Sequence, residues 1–237
     1  MGVITISGNL GSGGQIGQIV AHRLGLDYVD NEVLTEAARA LGVSERTVAS
    51  RDEESPPPTL RERLVSFFQD FLERSALAGV ADPLMGTGSL ETLMATTYGE
   101  AAALPAAGER ELSDSRYKEA ITSVMTELAA RGDVVIIGRG GQAILREHPR
   151  CLHVRITAPI AVRVRRIAER EGLPAEKARG RVEESDKARL DYHHKYFRIN
   201  PADPDLYDIV INTSHISEED AAELMVAALR FKMPASA

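Results

Sequence analysis

Cysteine is nearly absent from this chain of 237 residues: Cys151 stands alone. No internal disulfide can form, as in proteins of a reducing compartment. Cys151 opens the apolar stretch CLHVRI and reads as a small buried hydrophobe, not a nucleophile. No apolar run is long enough to span a bilayer. The opening MGVITISGNLGSGG lacks the charged n-region, apolar h-region and cleavage site of a signal peptide. The expected location is the cytoplasm. Clusters of Cys and His are missing as well. His193 and His194 are adjacent, so they point to different sides of a helix, and no metal site is expected. There is no overall excess of positive charge: 28 Lys and Arg stand against 35 Asp and Glu, a net −7. That balance argues against a general nucleic-acid binder.

What is present is enough for an ordinary core. Hydrophobic residues make up 43% of the chain, and its length fits one large domain, or a core with one sizeable insertion. The cations are unevenly spread. Residues 139–200 hold 15 Lys and Arg against 8 Asp and Glu, while the rest of the chain is strongly acidic. Cations concentrated in one segment can gather around an anion. They can also form solvated helix faces with i,i+4 pairs such as Lys187 with Asp191.

The apolar periodicity alternates between strand and helix. VITIS at residues 3–7 runs straight into glycines, as a buried strand entering a tight loop does. Ile16, Ile19, Val20 and Leu24 then recur at helical spacing, with Gly25 placed as a C-cap. LDYVD reads as a second strand. Helices are expected from Asn31 to about Leu41, from SERTVAS, and over about 59–78, where Leu60, Leu64, Phe67, Phe68, Phe71 and Leu72 form an apolar stripe. Residues 79–110 show little periodicity and read as loop. A helix follows over about 113–131, then the strand VVII at 134–137, whose unbroken apolar run suits burial on both faces. CLHVRIT is a further strand. A helix is expected over about 159–171 with Pro159 in its first turn, and another over about 175–196. YDIVINTS is the last strand. The last helix is capped by Ser217, with Asp220 three residues on. Such alternation implies a parallel sheet of about five strands with helices on both faces, and ligands beyond the carboxyl ends of the strands.

GNLGSGG and GRGG both follow strands, so both belong on that edge. The first resembles a P-loop, whose backbone N–H groups cradle phosphate oxygens at a helix N-terminus. The full pattern is G-x-x-x-x-G-K-[ST]. Here Gly8, Gly11, Ser12 and Gly13 belong to the loop, and Gly14 and Gln15 replace the Lys and the hydroxyl residue. The cradle is kept and both side chains are lost; Ser12 offers one hydroxyl. A tight turn without a ligand is the plain alternative. A dinucleotide fingerprint can also be tried on Gly11, Gly13 and Gly17, with Asp30 at the end of the second strand. There Gly17 falls one residue late.

At this point the chain resembles the cytidylate-kinase-like family of nucleoside monophosphate kinases. The matching stretches are ITISGNLGSGG, LDYVDNEVL, VVIIGRGGQAILREHP, RITAPIAVRVRRIAEREG, VEESDKARLDYHHKYF and YDIVINTS. They are in the family's order and span nearly the whole chain apart from about 45–112. The resemblance implies a single three-layer P-loop kinase domain over 1–237, a helical acceptor-binding insertion at 31–112 and a lid at 172–200. It also implies ATP with Mg²⁺ as donor and a nucleoside monophosphate as acceptor. By position, Arg139 matches an arginine that grips the acceptor phosphate. Asp186 and Arg189 match a lid pair contacting the acceptor ribose and the phosphates. They lie three residues apart, on one helix face, and Arg suits bidentate phosphate binding. Arg163 and Arg166 share a face with Arg170 and are candidates for the same site, against a plain reading as surface ion pairs. The chain departs from cytidylate kinases at Gly140, where they carry an Asp that helps recognise cytosine. It departs again near Glu36, where they carry an acceptor-phosphate Arg.

Two other readings stand beside the kinase. One is a regulatory protein that keeps nucleotide binding and has lost chemistry, for which the missing Lys speaks. The other is DNA binding by a helix-turn-helix in ARALGVSERTVAS, presenting Ser44, Glu45, Arg46 and Thr47; the RDEE that follows repels phosphate. Tyr117 and Tyr192 are candidates for base stacking or for the core. Self-association is left open.

Overall fold

The computed structural model describes residues 2–31, 34–35 and 114–233. Most of the 31–112 insertion therefore lies outside the described residues. So do the helices expected around Leu41, at SERTVAS and over 59–78, the loop at 79–110, the helix-turn-helix segment and Glu36.

The chain starts with β1 (Val3–Gly8), buried along its whole length. The glycine loop leads into α1 (Ile16–Leu24), which ends at Gly25 in the left-handed conformation, where glycine avoids the Cβ penalty. β2 (Asp27–Val29) follows. After the undescribed stretch come α2 (Asp114–Arg131), β3 (Val134–Ile137) and the short α3 (Gly141–Ile144). Then come β4 (Cys151–Thr157), α4 (Ile160–Glu171) and the long α5 (Ala175–Phe197). A 3₁₀ turn (Pro204–Leu206), β5 (Ile209–Asn212) and α6 (Glu218–Lys232) complete it. All five strands are parallel, in the order β2-β3-β1-β4-β5. The expected sheet is thus observed.

Pleating sends alternate residues to opposite faces, and each face has its own core. Val3, Val134, Ile136 and Cys151 pack with Ile121, Val124, Met125 and Leu128 of α2. Ile4, Ile6, Val135, Ile137, Leu152, Val154 and Ile156 pack with Ile16 and Val20 of α1 and Met225 and Leu229 of α6. This is the helix–sheet–helix sandwich expected from an unbroken apolar β1 and β3. A third cluster joins Leu10 of the glycine loop to Val164 and Ile167 of α4 and Ala178 and Val182 of α5. The loop is thereby packed against the two helices that carry Arg163, Arg166 and Arg189.

Several local expectations hold. Ser217 caps α6, its Oγ accepting from the Asp220 N–H at 3.0 Å and donating to Asp220 Oδ2 at 2.6 Å. Cys151 is buried, and burial pushes its thiol up to about 12, so it is inert as a nucleophile. Others are corrected. Pro159 is the N-cap of α4, not part of its first turn, because its ψ of 144° is extended. The i,i+4 pairs in the cationic segment are Arg165–Glu169 and Arg179–Glu183, and Lys187 with Asp191 is not among the ion pairs of the described residues. No helix among the described residues is long and apolar enough to cross a membrane.

Candidate functional site

The carboxyl ends of β1, β3 and β4 meet at one edge, where both glycine loops lie. In the first, Gly11 and Gly13 have φ of 79° and 129°, a region that strongly favours glycine. Space points the same way: a Cβ on Gly11 would lie 3.0 Å from the Arg163 carbonyl, and one on Gly13 2.6 Å from Ile16 Cδ1. Ser12 is buried and turned inward. Its Oγ donates to the Asn9 carbonyl at 2.6 Å and accepts from the Asn9 N–H at 3.0 Å, so it closes the loop from within. Gln15 is the N-cap of α1 and makes no side-chain cap. Gly8 ends β1 and pairs with Ile156, and Gly14 carries the chain to Gln15.

The outer side of the loop is held by arginines from α4. Arg166 Nη1 donates to the Gly11 carbonyl at 3.1 Å and to Thr213 Oγ1 at 3.0 Å, and its Nη2 donates to the Thr213 carbonyl at 2.6 Å. Arg163, also buried, donates to the carbonyls of Ala158 at 3.0 Å and Leu10 at 3.4 Å. Carbonyls drawn outward leave the loop's N–H groups for the concave side, where an anion binds. These two guanidiniums brace the cradle from behind.

Asp186 and Arg189 leave α5 on one face but reach different partners. Asp186 accepts from both terminal nitrogens of Arg163, at 2.9 and 2.7 Å, and from Asn9 Nδ2 at 2.7 Å. Arg189, 4% exposed, donates through Nη2 to Ser7 Oγ at 2.5 Å and to the Pro201 carbonyl at 3.5 Å. Its Nε is buried and has no hydrogen-bond partner among the described residues. Arg139 is 1% exposed and sits in the left-handed region at φ 49°. Its guanidinium lies 5.3 Å from the Tyr192 ring centre. Tyr192 is buried and Tyr117 half-buried, both in an aromatic cluster with Tyr196. His193 is buried, its ring edge-on to that of Tyr192. Its pKa is lowered to about 3 by burial and by the charges of Arg189, Arg139 and Arg155. It is neutral at physiological pH, with Nδ1 donating to the Arg189 carbonyl at 2.8 Å.

Three features were not legible in the sequence. Arg155, on β4 opposite Ser7, belongs to the same cationic pocket. The only hint was a charge inside an apolar strand. The Phe197 ring lies over Gly140, whose Cβ would come 2.3 Å from Cε2. Phe197, Lys118, Thr122, Ile144, Arg146 and Leu206 line part of an adjacent cleft of about 320 Å³. Finally, Glu218 of α6 stands on the donor side of the glycine loop. Its Oε1 is 3.7 Å from the position of a Gly13 Cβ. Burial raises its pKa, opposed by Arg166 and the Gln15 N–H. Among the described residues no group of three or more His, Cys, Asp and Glu could hold a metal ion.

The arrangement is a neutral backbone loop at the end of β1, with buried guanidiniums at the same edge of the sheet, which suits an anionic ligand. Comparison with known proteins agrees with that chemistry. The model of the cytidylate kinase-like family matches residues 3–215. A cytidylate kinase from Methanopyrus kandleri is 33% identical over 111 residues, covering 44% of this chain and 58% of that protein. One from Aeropyrum pernix is 33% identical over 104 residues, 44% of this chain and 60% of that protein. The matches thus span about three-fifths of these relatives' length. A crystal structure of an uncharacterized protein from Eubacterium ventriosum covers 97% of this chain and 98% of its own, with a TM-score of 0.61 and 17% identity. It shares the fold.

Proposed function

The chain belongs to the cytidylate kinase-like family, and from that premise we propose that it transfers the terminal phosphoryl group of ATP to a nucleoside monophosphate in the cytoplasm. The observation that carries the reading is the burial of Arg139 and Arg189 at the sheet edge where the glycine loop starts. Arg189 is buried, and its Nε has no partner among the described residues, an arrangement that favours an anionic ligand.

In this reading the N–H groups of Gly11, Gly13, Gly14 and Gln15 hold the donor phosphates, with Arg163 and Arg166 fixing the loop. Arg139 and Arg189 hold the acceptor phosphate. Asp186 already accepts three hydrogen bonds, and a carboxylate has about four lone-pair sites, so one remains for a ribose hydroxyl. An acceptor phosphate oxygen attacks the terminal phosphorus of the donor. The bond to the bridging oxygen breaks, and the nucleoside diphosphate and ADP leave. Positioning and cations supply most of the catalysis in such a transfer. Mg²⁺ would arrive on the donor phosphates and neutralise their charge. Gln15 offers no hydroxyl to it, and Ser12 Oγ is engaged within the loop.

The region 172–200, containing α5, acts as the lid and closes over bound nucleotide. The test is Arg139→Ala in a coupled assay of ATP and Mg²⁺ against CMP, dCMP, UMP, AMP and GMP. The variant should lose transfer to whichever acceptor the wild type uses, and full turnover would remove Arg139 from the site. Nucleotide binding with no turnover in the wild type would favour the regulatory reading, which the missing loop lysine supports.

A further inference from the structure

Arg155 is held as few strand residues are. It is half-buried on β4, directly opposite Ser7 in the register, and Ser7 Oγ is the acceptor for Arg189. Its Nη1 donates to the Pro201 carbonyl. The same carbonyl also receives Arg189 Nη2 at 3.5 Å and the Tyr207 hydroxyl at 2.9 Å. A carbonyl oxygen has two lone pairs. Three donors on one acceptor mean that N–H and O–H groups outnumber the acceptors of this pocket.

Direct ion pairing is uneven in the same place. No carboxylate among the described residues forms an ion pair with Arg155 or Arg189, whereas Arg163, one helix away, has Asp186. His193, fully buried against the cluster, carries no compensating charge. Burial and the nearby Arg189 charge lower the Arg155 pKa, opposed by the Tyr207 hydroxyl and by the more distant Asp186 carboxylate, which is already forked by Arg163. Like charges brought together out of water are costly unless an anion joins them. The pocket lies one residue before the Ile156–Gly8 pairing, at the strand edge where the glycine loop starts, and that loop carries Gly14 in place of lysine.

We propose that Arg155 is the third cation of the anion site formed by Arg139 and Arg189, and that it binds the phosphoryl group in transit, in place of the missing loop lysine. The proposal rests on the kinase reading for its catalytic half. Its binding half, a site for a phosphate anion, stands on the pocket alone.

The experiment compares wild type, Arg155→Gln and Arg155→Lys in two assays. Calorimetry with inorganic pyrophosphate reads the anion site without turnover; the steady-state assay reads kcat and acceptor KM separately. Arg155→Gln should weaken pyrophosphate roughly tenfold and lower kcat by about 10²- to 10³-fold, as loss of a charge-stabilising donor does. Acceptor KM should stay within about threefold. Arg155→Lys keeps the charge but not the fork and should recover part of the loss. If Arg155→Gln only lowers the melting temperature, with kcat and pyrophosphate affinity unchanged, Arg155 is a strut for Pro201 and the proposal fails. Should Arg155→Gln not fold, Arg155→Met takes its place, and wild-type kcat with wild-type pyrophosphate affinity in that uncharged variant overturns the proposal equally. A wild type without turnover would sink the kinase reading. In that case weaker pyrophosphate binding by Arg155→Gln would still uphold the anion site, and unchanged binding would remove it.

Discussion

Asp186 receives both terminal nitrogens of Arg163, at 2.9 and 2.7 Å, and this fork joins α5 to the helix that braces the glycine loop. Asn9 of the loop itself adds a third bond at 2.7 Å. The carboxylate thus links the glycine loop, its brace and α5. Arg163 is almost fully buried while Asp186 is 30% exposed. Removing the carboxylate strands a buried charge, although part of the loss is screened by solvent. Asp186→Ala should cost about 2 kcal/mol in urea unfolding and speed amide exchange in the middle of α5. Unchanged exchange there would mean that the fork does not hold the helix.

Gly140 is required by its neighbour as well as by its own backbone. Its φ is 80°, and any side chain would strike the Phe197 ring. Gly140→Ala should lose about 2–3 kcal/mol, from the left-handed conformation and the overlap together. Adding Phe197→Ala should return part of that loss, and a double-mutant cycle measures the coupling. Additive losses would show that the ring does not restrict this position. At the position where the resemblance would place a base-reading Asp, this chain has packed an aromatic ring.

His193 predicts acid sensitivity. Its folded pKa is lowered to about 3, while an unfolded histidine titrates near 6.5. Between those values the unfolded chain binds a proton that the folded one refuses, so stability falls as pH falls through this window. From pH 7 to pH 5 the wild type should lose about 2 kcal/mol more than His193→Gln, by urea unfolding at both pH values. Equal losses would place an ordinary histidine at this position.

Glu218 sets a carboxylate beside the donor cradle, near the Gln15 N–H. At a helix N-terminus it competes with phosphate for the same partial charge and repels the phosphate as well. Glu218→Gln should tighten ATP binding roughly threefold to tenfold in calorimetry. An unchanged affinity would mean that bound phosphates do not come near α6.

The sheet and most helices were legible because their signals are local: apolar runs of strand length, helical spacing, Gly25 and Ser217 as caps. Arg139, Asp186 and Arg189 were singled out by their positions in the stretches that resemble the family, with the glycines around Arg139 and the shared helix face of the other two in agreement. Their partners were not. Spacing says that two side chains share a face, and here one turns to Arg163 and Asn9 while the other turns to Ser7. Ser12 looked like a free hydroxyl, and only the loop's closure turns it inward. Arg155 was hidden because its meaning comes from strand register, which places Ser7 opposite it across 148 residues of chain. Phe197 and Gly140 are likewise brought together only by the fold.

The most direct measurement of the central claim is ³¹P NMR of the wild-type protein with ATP, Mg²⁺ and one nucleoside monophosphate at a time. The account predicts that for at least one acceptor the monophosphate and ATP resonances fall together, while ADP and the matching nucleoside diphosphate rise in equal amounts. ATP loss with free inorganic phosphate as the only new signal, or no change with any acceptor, would contradict it.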